Sequence, residues 1–214
     1  MPLTHRLIAA AALLFAATLA AQEAALAVRV IHGELPVADA VVSLVPLDAP
    51  APAPAPVEAV VAQEDKEFDP YVTPVAVGTR VNFPNRDTVQ HHIYSLSKPK
   101  RFEKPLYASG ASESVLFDLP GVVALGCNIH DWMIAYVVVL PTPWFAKTGT
   151  DGSARLVGAP PGRYRLEIWH PRLARPVSRE LVLTAGAAAA ETVALTLKPD
   201  RRIRRAPETR TGAY

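Results

Sequence analysis

Residues 125–136 read "LGCNIHDWMIAY". The stretch holds the chain's one cysteine, Cys127, followed by His130 and Met133 at equal steps of three. Each residue alone reads as packing or as a turn, because Cys and Met are mostly core residues. Together they place a thiol, an imidazole and a thioether, two of them soft sulfur donors, on one short segment. "VVALGC" before it and "MIAYVVVL" after it read as strands, so the donors sit where one strand ends and the next begins.

The N-terminus bears on how that thiol survives. Residues 1–27, "MPLTHRLIAAAALLFAATLAAQEAALA", combine an early arginine, an apolar run from Leu7 to about Ala20 and a small-residue close at Ala25-Leu26-Ala27. This reads as a secretory signal peptide, with cleavage after Ala21 as a second option. The run is too short for a membrane span, and no later segment is longer or more apolar. The mature protein is expected to be exported, to the periplasm if the cell is Gram-negative. In an oxidising compartment a lone cysteine has no intrachain partner, so another chain, oxidation or a metal must claim it.

The 214 residues carry a net charge of +2 at pH 7. Residues 198–214, "KPDRRIRRAPETRTGAY", hold six basic and two acidic residues, which leaves the body slightly acidic. This basic tail is expected to be disordered. No nucleic-acid-binding motif is present.

The body reads as β throughout. Short runs rich in Val, Leu, Ile and Tyr alternate with Gly, Pro, Asp and Asn clusters, the pattern of an all-β sandwich or barrel. "DAPAPAPAP" contains an extended Ala/Pro linker at 50–56, and 141–147 reads as a second linker. Between them, 57–140 is the size of one small domain. The flanks, 28–49 and 148–197, look incomplete alone. The first carries Gly33, Pro36, Ala40 and Val42; the second carries Thr148, Asp151, Gly152, Pro160, Pro161, Gly162, Tyr164 and Leu166. These resemble the "G-x-P-x-x-x-A-x-V", "T-x-x-D-G" and "P-P-G-x-Y-x-L" segments of the carboxypeptidase-regulatory-like, transthyretin-like sandwich. The flanks are expected to form one discontinuous sandwich with 57–140 inserted; the alternative is two serial domains with an N-terminal arm.

Zinc sites rarely use a thioether, whereas two His and one Cys with a long axial Met form the blue-copper arrangement. The missing His is sought in "FPNRDTVQHHIYSLS". His91 and His92 are adjacent on a predicted strand, so only one of them faces the metal.

Here a resemblance becomes specific. Residues 57–140 are similar to a cupredoxin of the amicyanin, methylamine-utilisation type, a plastocyanin-like blue copper fold. The family's "N-x-x-x-x-x-H-N" segment corresponds to Asn85 through His92, and its Cys-x-x-His-x-x-Met loop to Cys127, His130 and Met133. Phe68, Pro70, Val77, Gly78 and Phe83 follow in the family's order. The resemblance implies one type 1 copper ion held by His91, Cys127, His130 and Met133. It also implies a backbone N–H from position 92 to the cysteine sulfur. His92 stands where the family commonly has Asn, as an alternative ligand or an outer partner. Ile129 and Asp131 replace prolines common in the ligand loop, and Asp131 adds a charge that favours Cu(II).

The resulting expectation is a non-enzymatic, exported one-electron carrier. By resemblance alone its partners are redox proteins, a dehydrogenase donor and a cytochrome acceptor, with electrons leaving through the His130 edge. Copper delivery or sensing is an alternative. A carbohydrate-binding or adhesive module, resting on the flanks, is a second. Copper oxidases and nitrite reductases need further His-rich sites, and the chain has no His-x-His pair.

Overall fold

The computed structural model describes residues 24–202. Among them there are strands and turns but no helix, and so no helix that could cross a membrane. The chain opens with β1 (Ala24–His32), β2 (Leu35–Pro36) and β3 (Val41–Pro46). In β1 the buried residues are Ala24, Leu26, Val28 and Val30, the period of two that a half-buried strand requires.

The middle of the chain supplies β4 (Glu58–Val60), β5 (Ala62–Glu64), β6 (Glu67–Asp69), β7 (Val72–Ala76), β8 (Thr79–Pro84), β9 (His91–Ser95), β10 (Phe102–Tyr107), β11 (Ser112–Phe117), β12 (Gly121–Gly126) and β13 (Ile134–Leu140). It forms a five-stranded sheet, β10-β9-β12-β13-β7, a three-stranded sheet, β11-β8-β4, and the hairpin β5-β6. Their shared core includes Phe83, Ile93, Phe117, Val123, Leu125, Val137 and Val139, together with Cys127 and Met133.

The last third supplies β14 (Phe145–Lys147), β15 (Ser153–Ala159), β16 (Gly162–Trp169), β17 (Val177–Leu183) and β18 (Ala188–Ala194). These join the N-terminal strands in two sheets, β15-β1-β18 with β2 alongside, and β14-β3-β16-β17. Leu26, Val28, Val42, Leu44, Leu156, Leu166, Ile168 and Val193 fill the space between them. Strand β1 runs parallel to β18 and antiparallel to β15, so the first and last strands of the described residues meet in one sheet.

Three boundaries differ from the sequence reading. Ala24–Ala27, given there to the leader, lie in β1, and Leu26 is fully buried; the rest of the leader lies outside the described residues. The expected linker at 141–147 holds β14, and its Trp144 packs edge-on against Tyr164 and donates from Nε1 to the Gly158 carbonyl at 2.9 Å. The tail begins in contact with the body: Arg172 Nε donates to the Lys198 carbonyl at 2.6 Å, and the Arg202 guanidinium lies 3.6 Å above the Tyr71 ring. Residues 203–214 lie outside the described residues.

"IAYVVVL" is apolar without alternation because β13 is covered on both faces. Val137 and Val139 enter the core of their own unit. Val138 and Leu140 join Val41 and Val72 in a separate cluster flanked by Tyr71, Tyr136, Phe145 and Trp169. The Tyr136 and Trp169 rings meet edge to face, 5.4 Å apart. The unit that carries the donors is therefore packed against the flanking sandwich.

Candidate metal centre

Asn85 shapes the loop that leads into β9. Its side chain, 1% exposed, donates to the Val89 and Tyr107 carbonyls at 2.8 and 3.1 Å and accepts from the Asp87 N–H at 3.0 Å. The loop delivers His91 to the start of β9 with no exposed surface. Residues i and i+2 of a strand share a face, and His91 shares that of Ile93, a core residue.

Cys127 follows the end of β12, where Gly126 leaves room for a neighbour. A Cβ at that position would lie 3.0 Å from the Tyr94 ring, so a larger residue would force that ring to shift. The chain then turns through Asn128–Trp132, closed by a hydrogen bond from the Met133 N–H to the His130 carbonyl at 2.9 Å. Cys127 and Met133 are 3% and 2% exposed, and His130 is half-buried.

These segments bring three donors together. Cys127 Sγ lies 4.0 Å from His91 Nδ1 and 3.7 Å from His130 Nδ1. One donor atom from each of His91, Cys127 and His130 falls within 4.8 Å of the others, and this is the one such group among the described residues. The His91 and His130 rings are 4.9 Å apart between centroids. Met133 closes the loop in the same core cluster as Cys127.

The electrostatics ease ionisation of the Cys127 thiol. Burial pushes the Cys127 thiol up, but His91 and the backbone N–H groups of His92, Ile129 and His130 outweigh it and hold the thiol below its ordinary value. Burial pushes the His91 imidazole down, and its contacts with Cys127 and Asp87 reverse that.

His92 is not brought to the cluster. Its Nε2 lies 2.9 Å from Glu103 Oε1, its ring faces Tyr94 at 5.6 Å, and its Nδ1 is buried without a hydrogen-bond partner. Its backbone N–H does reach the sulfur. Ile129 and Asp131 are exposed.

Two other histidines also found partners. His32 is half-buried with Nδ1 2.9 Å from the Leu195 carbonyl. His170 is 6% exposed and accepts the Arg172 N–H at 3.1 Å.

Sequence reasoning missed the groups behind the donors. Asp87 Oδ2 lies 2.6 Å from His91 Nε2, and Trp132 Nε1 donates to the Lys66 carbonyl at 3.0 Å. Asp87 stands four residues before His91, a visible acid near a predicted ligand. The contacts of Lys66 are long-range and left no local signal.

The donor chemistry narrows the metal. One thiolate, two imidazoles and a thioether nearby form a soft, nitrogen–sulfur set that suits copper and does not suit magnesium or calcium. The donors come preassembled from a buried strand start and a short loop.

No protein-family model matches the chain, and no curated protein matches it. Solved structures similar to it include a Cu-containing nitrite reductase from Thermus scotoductus SA-01, 26% identical over 44% of this chain and 25% of that one, with a TM-score of 0.38. A purple cupredoxin from Nitrosopumilus maritimus is 26% identical over 38% of this chain and 99% of that one, with a TM-score of 0.36. A Cu(I) form of an amicyanin mutant is 19% identical over 46% of this chain and 98% of that one, with a TM-score of 0.37. This chain thus spans about a quarter of the nitrite reductase's length.

Proposed function

We propose that this chain is a mononuclear copper protein of the cupredoxin type that carries single electrons outside the cytoplasm. The observation that carries the reading is the convergence of His91, Cys127 and His130 donor atoms within 4.8 Å beside a buried Met133. A copper ion held there would supply a one-electron couple between Cu(II) and Cu(I).

The residues divide the work. Cys127 would supply a thiolate at a position where its environment already eases loss of the proton. His91, sealed from solvent, fixes the inner side of the site. His130, half-buried, is the ligand edge through which an electron reaches a partner. Met133, in the same buried cluster as Cys127, would supply a weak thioether donor. Donors fixed by a strand and a closed loop need little rearrangement between oxidation states, which favours rapid transfer over metal release.

The leader read in the sequence supports export and a periplasmic setting. A redox protein is the partner class, docking transiently at the His130 face. Voltammetry of copper-loaded protein tests electron carriage: one reversible one-electron wave, with copper retained against a Cu(I) chelator, is expected. Ready surrender of Cu(I) to the chelator would instead identify a delivery protein.

A further inference from the structure

His91 is held from behind as well as from the front. Its Nδ1 is the atom turned towards Cys127. Its Nε2 lies 2.6 Å from Asp87 Oδ2, and the Asp87 side chain is only 13% exposed. The same carboxylate accepts the Asp65 N–H on Oδ1 at 2.7 Å and the Lys66 N–H on Oδ2 at 2.9 Å. A carboxylate engaged on both oxygens by three separate groups has one orientation.

Asp65 and Lys66 form the corner of the β5–β6 hairpin, with φ of 54° and 56°. Two successive left-handed residues are the signature of a tight hairpin turn, and the pair points both its N–H groups at Asp87. The Lys66 carbonyl in turn accepts Trp132 Nε1–H at 3.0 Å. Trp132 belongs to the Cys127–Met133 loop, and its ring lies 5.2 Å from that of His130. One hairpin corner is thus bonded to both donor-bearing segments, through Asp87 on one side and Trp132 on the other.

An ionised carboxylate can only accept hydrogen bonds. His91 must therefore donate from Nε2, which in the neutral ring leaves the lone pair on Nδ1, the atom turned towards Cys127. A charge held this close in a nearly dry setting also strengthens that donor and favours the more highly charged metal ion.

We propose that Asp87, clamped by the Asp65–Lys66 corner, is a positioning residue for the metal centre: it sets the His91 tautomer and lowers the reduction potential of the bound copper. The redox half of this inference rests on the copper reading above; the tautomer half does not.

Two measurements test it. In the metal-free wild type, nitrogen-15 NMR of the imidazoles, followed upward in pH until the His91 ring is neutral, is expected to show that ring protonated on Nε2 and bare on Nδ1. A neutral ring with its proton on Nδ1 would overturn the inference without any metal being present. In copper-loaded protein, Asp87→Asn is expected to keep copper and raise the Cu(I) to Cu(II) ratio at a fixed redox poise by roughly tenfold, equivalent to about 59 mV for a one-electron couple. Asp151→Asn, which removes an exposed charge in the other sandwich, serves as the control and is expected to shift the ratio less than about twofold, as a screened and distant charge should. An Asp87→Asn ratio no different from that control overturns the redox half. A wild type that takes up no copper overturns the copper reading and the redox half with it, and the NMR result still decides the tautomer.

Discussion

His91 and His92 are chain neighbours with opposite placements. Strand alternation sends His91 to the core face beside Ile93 and His92 to the other, where Glu103 meets it. His91→Asn is expected to abolish tight copper uptake, since it removes one of the two imidazole donors. His92→Asn is expected to retain uptake, because position 92 reaches the sulfur through its backbone N–H. Metal analysis after dialysis separates the two, and equal losses would contradict the assignment. Trp132→Phe keeps the ring but removes the bond to the Lys66 carbonyl, and is expected to lower the stability of metal-free protein in urea by about 1 kcal/mol. Cys127 and His130 were legible in the sequence because their spacing is local, and His91 because the segment from Asn85 to His92 resembles that of a known family. Asp87's role was not, because the partner that clamps it is a distant hairpin corner, and Asp65-Lys66 lacks the Asn-Gly or Asp-Gly signal that marks such turns.

Strand β13 shows why an element can be recognised from sequence while its surroundings cannot. Its apolar run marks a buried strand, but only the structure shows Val138 and Leu140 facing the flanking sandwich rather than a second layer of their own unit. Leu140→Ala is expected to cost about 2–4 kcal/mol, the usual range for such a cavity, measured as a shift in the urea midpoint. An effect below about 0.5 kcal/mol, typical of an exposed site, would mean the junction is not packed in solution. At the other end, β1 begins at Ala24, with Leu26 fully buried and Ala25–Ile31 in register with Ala188–Ala194. Cleavage after Ala27 would remove the first three of those seven pairs. Cleavage after Ala21 keeps it, so N-terminal sequencing of exported protein is expected to begin at Gln22. The linker reading of 141–147 failed for a related reason: its opening Pro141-Thr142-Pro143 looks like a spacer, yet Trp144 is a core residue of the sandwich.

On the scale of the whole molecule, the two units meet around Tyr71, Tyr136 and Trp169, with His170 at the margin of that contact beside Asp39, Arg172, Asp200 and Arg202. Burial, reinforced by Arg172 and Arg202, brings the His170 imidazole down from 6.5 to about 4. The folded protein then binds fewer protons than the unfolded chain between those values. His170 therefore contributes full stability above about pH 6.5, and loses it as pH falls towards 4. The loss is of the order of 3 kcal/mol, and His170→Gln is expected to flatten that part of the stability profile. The all-β class was legible from the many short strands, and the donor-bearing unit from one loop. The junction between units was not, because it is assembled from single aromatic residues on separate strands. The central claim is tested most directly by adding Cu(II) to the purified protein and recording its visible absorption beside Cys127→Ser. An intense thiolate-to-copper band at one equivalent in the wild type, absent from the variant, is predicted; a wild type that stays colourless and takes up no copper would contradict the account.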